Sequence, residues 1–433
     1  MRAAPPASRL GIAAWALYDW ADSSFNTVIG TFVFSVYFAR AVYGDETQGA
    51  AVWGYAMAVA GFVIAVGSPI LGAIADRAGP RKPWIAVLMV VCVAATALMW
   101  FAEPDPAFVP LTLALAVVAT IAHTLGQVFY NAMLPDVAPP GMEGRVSGWA
   151  WGLGYAGGLG ALAVCLLLLV LPDDPAFGIG TENAANIRAT AIVTAAWFLV
   201  FALPMLAFTP DRPSAELGAR RAIGAGLGQL RDSLAKLRRQ RPLLLFLIAS
   251  AVYRDGLATL FAVGGLFAAG AFGMDFQEIL IFAIGLNVTA AGGSWLFAAL
   301  TDRVGPKRMV LVGLGGLIVC GTIILFVTDW ITFLVLALIL GLFVGPAQSA
   351  SRVLLADLAP RGMMTEMFGL YTMTGKAIAF IGPLGFATLT DIFDSQRAGL
   401  TVVLAMWLVG AGLLLAVRVP AVSPRAAGEA AGR

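Results

Sequence analysis

A few ionisable and polar side chains stand inside long apolar runs, where each is costly to place. Asp19, Asp22, Ser23 and Asn26 fall at offsets of 3, 4 and 7 within the first run, so a helix puts them on one face. His123, Gln127, Tyr130 and Asn131 form a second stripe of the same kind. Tyr253, Arg254 and Asp255 sit about halfway through a third run, and Thr372 and Lys376 about halfway through a fourth. A charge at the middle of a membrane helix costs about 2.5–3.5 kcal/mol on insertion scales, so such groups usually line a wet cavity or hold a partner. Two cations, Arg254 and Lys376, stand against three carboxylates, Asp19, Asp22 and Asp255. A cavity of mixed sign suits a solute that carries both charges. His123 is the only histidine, and an imidazole exchanges protons near neutral pH. Asp22 and Asp255 are the candidates for carrying a coupling proton.

These groups need a scaffold that crosses a bilayer. Of the 433 residues 60% are hydrophobic and 12% charged, against about 25% charged in a soluble domain. The net charge of +2 argues against a nucleic-acid partner. Cys92, Cys165 and Cys320 lie inside apolar runs and form neither a disulfide framework nor a metal site. No cleavable leader is expected, because Met1 to Gly11 is short and polar and the first apolar run is too long. A spanning helix needs about 20 mostly apolar residues. Runs of that length occur at 15–40, 53–75, 83–102, 108–134, 147–171 and 187–208. Six more occur at 243–272, 277–301, 308–328, 330–350, 366–390 and 397–418. The expected fold class is an all-α membrane protein of twelve helices. Its expected domains are an N-terminal half (1–208), a basic linker (209–242) and a C-terminal half with a short tail (243–433).

With the N-terminus placed in the cytoplasm, alternation puts 22 of the 27 Lys and Arg residues on that side, Arg352 among them. Only Arg40, Arg188 and Arg397 fall outside. Both termini are therefore expected in the cytoplasm, in a protein integral to the cytoplasmic membrane. Within the linker, Leu227, Leu230, Leu234 and Leu237 recur at spacings of 3, 4 and 3 among Arg231, Lys236, Arg238, Arg239 and Arg241. That pattern predicts a basic amphipathic helix on the inner leaflet.

The two halves echo each other. Gly72-Ala-Ile-Ala-Asp76-Arg77-Ala-Gly79-Pro80-Arg81-Lys82 precedes the third helix. Ala298-Ala-Leu-Thr-Asp302-Arg303-Val-Gly305-Pro306-Lys307-Arg308 precedes the ninth. Leu134-Pro-Asp136-Val-Ala-Pro139 is echoed by Leu355-Ala-Asp357-Leu-Ala-Pro360. A duplicated six-helix unit is a transporter pattern. Asp76 and Asp302 are placed to meet helix N-termini or cations across the seam between the halves. Two nucleotide-site spellings fail: neither Gly152-Leu-Gly154-Tyr-Ala-Gly157 nor Gly369 to Gly375-Lys376 follows a strand, and both lie in spans. No metal cluster, nucleophile constellation or cofactor loop points to an enzyme, and no cofactor is expected.

The loop before the third helix resembles the signature of the major facilitator superfamily. Trp15-Ala-Leu-Tyr-Asp19-Trp20-Ala-Asp22-Ser-Ser, Asn131-Ala-Met-Leu-Pro-Asp136, Gly144-Arg145-Val-Ser147-Gly148 and Gly369-Leu-Tyr371…Gly375-Lys376 resemble, more narrowly, the vacuolar amino-acid effluxer family. The resemblance implies the two-bundle transporter fold, alternating access, and export of amino acids. It implies gates at Asp76, Arg77, Gly79, Arg81, Asp302, Arg303, Gly305 and Lys307. This chain has Asp22 where the family pattern has Asn, and His123-Thr-Leu-Gly-Gln127 where the superfamily's fourth helix has an arginine motif. The superfamily's architecture makes helices 7 and 11 neighbours, which predicts an Asp255–Lys376 pair. Asp22 is the competing partner for Lys376, and Arg254 for Asp255. The expected function is a secondary transporter for a small polar solute, an amino acid or related zwitterion, acting as a monomer with protons as the candidate coupling ion. The rivals are a lipid or amphiphile carrier, for which 26 Phe and 11 Trp speak, and a transport-dead receptor.

Overall fold

A computed structural model describes residues 7–213, 219–237, 239–360 and 362–419. Arg2, Arg238, Arg361, Arg425 and Arg433 of the basic inventory, and both chain ends, lie outside the described residues. Among those described are twelve helices long and apolar enough to span a bilayer, and no strand. In the first half they are α1 (Arg9–Val42), α2 (Glu46–Ala78), α3 (Lys82–Phe101), α4 (Pro106–Val137), α5 (Glu143–Val170) and α6 (Glu182–Phe208). In the second they are α7 (Arg241–Phe272), α8 (Ile281–Val304), α9 (Pro306–Ile324), α10 (Trp330–Leu358), α11 (Met364–Phe393) and α12 (Gln396–Ala416). Lipid offers no backbone partners, so only segments that satisfy every amide internally can cross it.

Each half packs around its own core. In the first, Trp15, Tyr18, Phe129 and Phe198 are fully or nearly fully buried; in the second, Phe246, Tyr253 and Trp407 are. Small residues let the helices close in, since apolar burial does not drive association in lipid. Gly157 of the refused dinucleotide spelling lies against the backbone of Trp20, and a Cβ there would collide with it.

The halves meet along α2–α11, α5–α8, α5–α10 and α4–α11. Gly72 sits on the backbone of Thr365, and Gly369 on that of Ser68 and Pro69. Ser68 Oγ donates to the Gly369 carbonyl (2.9 Å), and Ser147 Oγ to that of Ser349 (2.8 Å). These contacts cluster toward the end of the bundle that holds the two echoed loops. At the opposite end the outer part of α11 (Ile381–Phe393) packs chiefly on α12 and α7 of its own half. Phe380 and Leu384 there are each 61% exposed.

The linker forms a helix, Ala219–Leu237, that docks on α2. Its docked face is Gly226, Gln229, Leu230 and Ser233, at helical spacing, while Leu227 and Leu234 stay exposed. The four leucines therefore do not share one environment: Leu230 turns into the protein. Gln229 Nε2 donates to Glu366 Oε2 on α11, so the linker touches both halves.

Candidate functional site

Between the halves lies a cavity of about 380 Å³. α1 contributes Asn26; α4 contributes Thr120, His123, Thr124, Gln127 and Asn131; α5 contributes Trp151. From the other half come Arg254 and Asp255 of α7, Gln348 and Arg352 of α10, and Tyr371, Thr372 and Lys376 of α11. A smaller cavity of about 180 Å³ adjoins it and is lined by Asp19, Ser23, Asn26, Tyr155, Asn287 and Arg352, among others.

Of the α1 stripe, Asn26 faces the main cavity and Asp19 the smaller one, but Asp22 faces neither. It is fully buried behind the α4 stripe. His123 Nε2 lies 2.9 Å from Asp22 Oδ1, and Gln127 Nε2 donates to Asp22 Oδ2. A carboxylate so deep needs such partners, because an unpaired buried charge is costly. His123 and Gln127 thus form a lid one side chain thick between Asp22 and the cavity. Phe25 packs on the imidazole with ring centroids 4.9 Å apart.

Asp19 pairs across the seam. Its Oδ2 accepts from Arg352 Nη2 at 3.0 Å, and both residues are 5% exposed. Trp15, Tyr130 and Trp151 surround the guanidinium, with ring centroids 5.3–5.5 Å from its carbon. Tyr130 does not line the cavity. It is fully buried, stacks on Trp15 at 4.5 Å, and donates its hydroxyl proton to the Trp15 carbonyl (3.0 Å). The tenth apolar run ends near residue 350, which by sequence leaves Arg352 among the cytoplasmic basic residues. The helix in fact continues to Leu358, which carries Arg352 inside the bundle. The signal available was the stretch Val353-Leu-Leu-Ala356, which prolongs the apolar run past it.

The expected Asp255–Lys376 pair does not form. α11 breaks at Ala379–Phe380 and restarts at Ile381, where Pro383 stands in the first turn. Asp255 Oδ2 accepts from the Gly382 amide (2.9 Å) at that new helix start, while Oδ1 is buried without a hydrogen bond. The alternatives fail as well: neither Arg254 nor Lys376 has a carboxylate within 4.0 Å among the described residues. Arg254 lies over the Tyr371 ring at 3.9 Å and donates to the Tyr371 carbonyl (3.3 Å). Lys376 is exposed to the cavity. Tyr253, next to Arg254, turns away and bonds Ser351 Oγ (2.5 Å).

The two echoed loops sit at the tight end of the seam. Asp76, 2% exposed, accepts from the amides of Thr365 (3.1 Å) and Glu366 (2.9 Å) at the start of α11. Asp302 accepts from the amides of Gly144 (2.6 Å) and Arg145 (3.2 Å) at the start of α5. Each carboxylate meets the positive end of a helix dipole in the other half. Arg81, 1% exposed, joins Asp136 (2.7 Å), Asp76 (3.6 Å) and Thr365 Oγ1 (2.9 Å). Arg212 then closes on Asp136 at 2.8 Å. Gly79 (φ 102°) and Gly305 (φ 88°) end α2 and α8 in a backbone region that disfavours side chains. Lys307 Nζ donates to the Leu415 and Val417 carbonyls at the end of α12, within its own half. Arg303 is exposed, and Arg77 is half-buried.

The profile of the family described as "Vacuole effluxer Atg22 like" matches residues 36–426. An uncharacterized MFS-type transporter, YxiO of Bacillus subtilis, is 28% identical over 404 residues, covering 93% of each chain. Autophagy-related protein 22 of Yarrowia lipolytica is 22% identical over 310 residues, 64% of this chain and 50% of that one. The chain thus matches about half the length of that fungal relative. Among solved structures, the proton:xylose symporter XylE superposes with a TM-score of 0.74 at 13% identity, covering 94% of this chain and 95% of that one. A bacterial homologue of the iron transporter ferroportin in the outward-facing state gives 0.70 at 14% identity, covering 94% and 98%. At such identities the likeness is one of fold: two six-helix bundles of the major facilitator kind.

Proposed function

We propose that this chain, which belongs to the vacuole effluxer Atg22-like family, carries an amino acid or related zwitterion across the membrane by alternating access. The fold and the relatives are those of a major facilitator transporter, and secondary transport of a small solute follows from them. One observation carries the finer reading. The 380 Å³ cavity draws its polar lining from both halves, at the place where relative rocking would expose it to either side. Cavities of about 300–1,000 Å³ are usual for small-molecule sites. Its lining combines cations and the Asp255 carboxylate with amide and hydroxyl groups, which favours a small polar solute over a lipid chain.

In this reading the basic end of the bundle faces the cytoplasm, and the structure is the outward-facing state. The caps at Asp76 and Asp302 close the inner gate and must release for the cavity to open inward. Asp22, screened by His123 and Gln127, is the group that takes the coupling proton. Uptake and release by the monomer in the cytoplasmic membrane complete the picture, with both termini inside. The test is counterflow: purified protein in liposomes preloaded with unlabelled solute, screened against labelled amino acids, peptides and sugars. Exchange of at least one amino acid supports the reading. Exchange of sugars alone, or lipid scrambling alone, overturns it.

A further inference from the structure

We propose that Arg254 and Lys376 form an anion subsite that takes the carboxylate of the transported solute. The proposal rests on the cavity being the transport site, and goes beyond that by naming the group that is recognised and the residues that recognise it. Both cations line the same cavity. The guanidinium of Arg254 settles on α11 over Tyr371, and its Nη1 lies 3.4 Å from where a Cβ on residue 375 would be. Glycine at 375 therefore leaves the guanidinium next to the residue that bears Lys376.

Among the described residues no carboxylate neutralises the pair. Of the three carboxylates that the bundle places nearby, Asp19 holds Arg352, Asp22 holds His123 and Gln127, and Asp255 holds the Gly382 amide through Oδ2, its buried Oδ1 remaining without a hydrogen bond and beyond 4.0 Å of either cation. Neither cation has a carboxylate within 4.0 Å among the described residues, and no hydrogen bond from Lys376 Nζ is formed there. Two like charges lining one cavity at membrane depth repel, and ionised groups there normally pair. The arrangement is completed by an anion from outside the chain. A carboxylate fits best, because a guanidinium holds two coplanar oxygens with parallel N–H donors while the ammonium adds a point charge. Across the cavity, Asn26, Gln127 and Asn131 present neutral amide groups and no free carboxylate. The cation pair therefore dominates recognition, and an amino group on the solute is secondary.

The test compares three versions of the same solutes in nanodiscs by thermal shift. Leucine, serine and glutamine carry both charges. Their N-acetyl derivatives keep the carboxylate and lose the amine; their amides keep the amine and lose the carboxylate. At least one free acid and its N-acetyl form should stabilise the protein, and its amide should not. Arg254→Gln and Lys376→Gln should each weaken the acid's apparent Kd by about tenfold or more, and Lys376→Arg should retain most of the affinity. Without solute, Lys376→Gln should melt at the wild-type temperature or above it, since only repulsion is removed. Amides that bind as well as acids overturn the proposal, as does a panel in which no acid binds. A fall of several degrees in unliganded Lys376→Gln overturns it too, because the lysine then has a partner. Counterflow separates this from the broader reading. Acid binding without exchange of any solute sinks transport and leaves the subsite standing, whereas exchange that is indifferent to the carboxylate does the reverse.

Discussion

Asp76 and Asp302 each cap the first turn of a helix that belongs to the opposite half: Asp76 holds the start of α11, and Asp302 the start of α5. The duplication of the sequence thus becomes a reciprocal clasp. The two arms differ in depth. Asp76 is buried and has Arg81 beside it, whereas Asp302, among the described residues, has the partly exposed Arg145 at 3.4 Å.

Replacing Asp76 with Asn should loosen the closed end without unfolding the protein. A carboxylate at a helix start is worth up to about 2 kcal/mol when partly buried, so the closed population should fall by roughly 5–30-fold. Spin labels at Pro140 and Arg308, both exposed at that end and on opposite halves, should show a longer distance component. Transport should fall while expression holds. Asp302→Asn should do less on both counts. Unchanged distances and wild-type turnover in Asp76→Asn would reduce the loop to a topology signal.

The Asp19–Arg352 pair invites a double-mutant cycle. Stripping one partner from a buried pair strands the other charge at a cost of about 3–5 kcal/mol, while removing both can be close to neutral. Arg352→Met should therefore lower the unfolding temperature more than Asp19→Asn/Arg352→Met does. Part of the loss will persist in the double variant, because the guanidinium also fills the space between Trp15, Tyr130 and Trp151. Additive losses would show that the 3.0 Å contact contributes no coupling.

Asp22 offers a separation of exchange from drive. If it carries the coupling proton, Asp22→Asn should keep counterflow but abolish accumulation driven by a pH gradient. His123→Gln preserves a polar lid and should shift the pH at which drive is lost without removing it. Gradient-driven uptake that survives in Asp22→Asn assigns the proton to another group.

Side assignment is checked with single cysteines on a cysteine-free background. Arg308→Cys should react only with a reagent applied from the cytoplasm, and Asp174→Cys only from outside; both positions are exposed. Arg81 is a poor probe despite its loop position, since it is 1% exposed and bonded to Asp136. Labelling from the reverse sides would invert the orientation of every gate named above.

The span count, the two halves and the polar faces were legible in the sequence. Apolar length and helical periodicity are local properties, and a duplicated loop is visible as a string. Asp19, Asp22 and Asn26 share a stripe whatever packs against it. Tertiary structure decided which partner each charge meets. Asp22 and Asn26 lie one turn apart, yet α4 covers the first and leaves the second facing the cavity. The break in α11 produced a free amide at Gly382, and that donor, invisible as a charge, took Asp255 from Lys376. Arg352 entered the bundle because α10 runs on to Leu358, and the opposite half supplied Asp19. A residue's helical register follows from its neighbours in the chain. Its ion-pair partner depends on the rotation and depth of another helix, and those are set by side-chain packing across the seam.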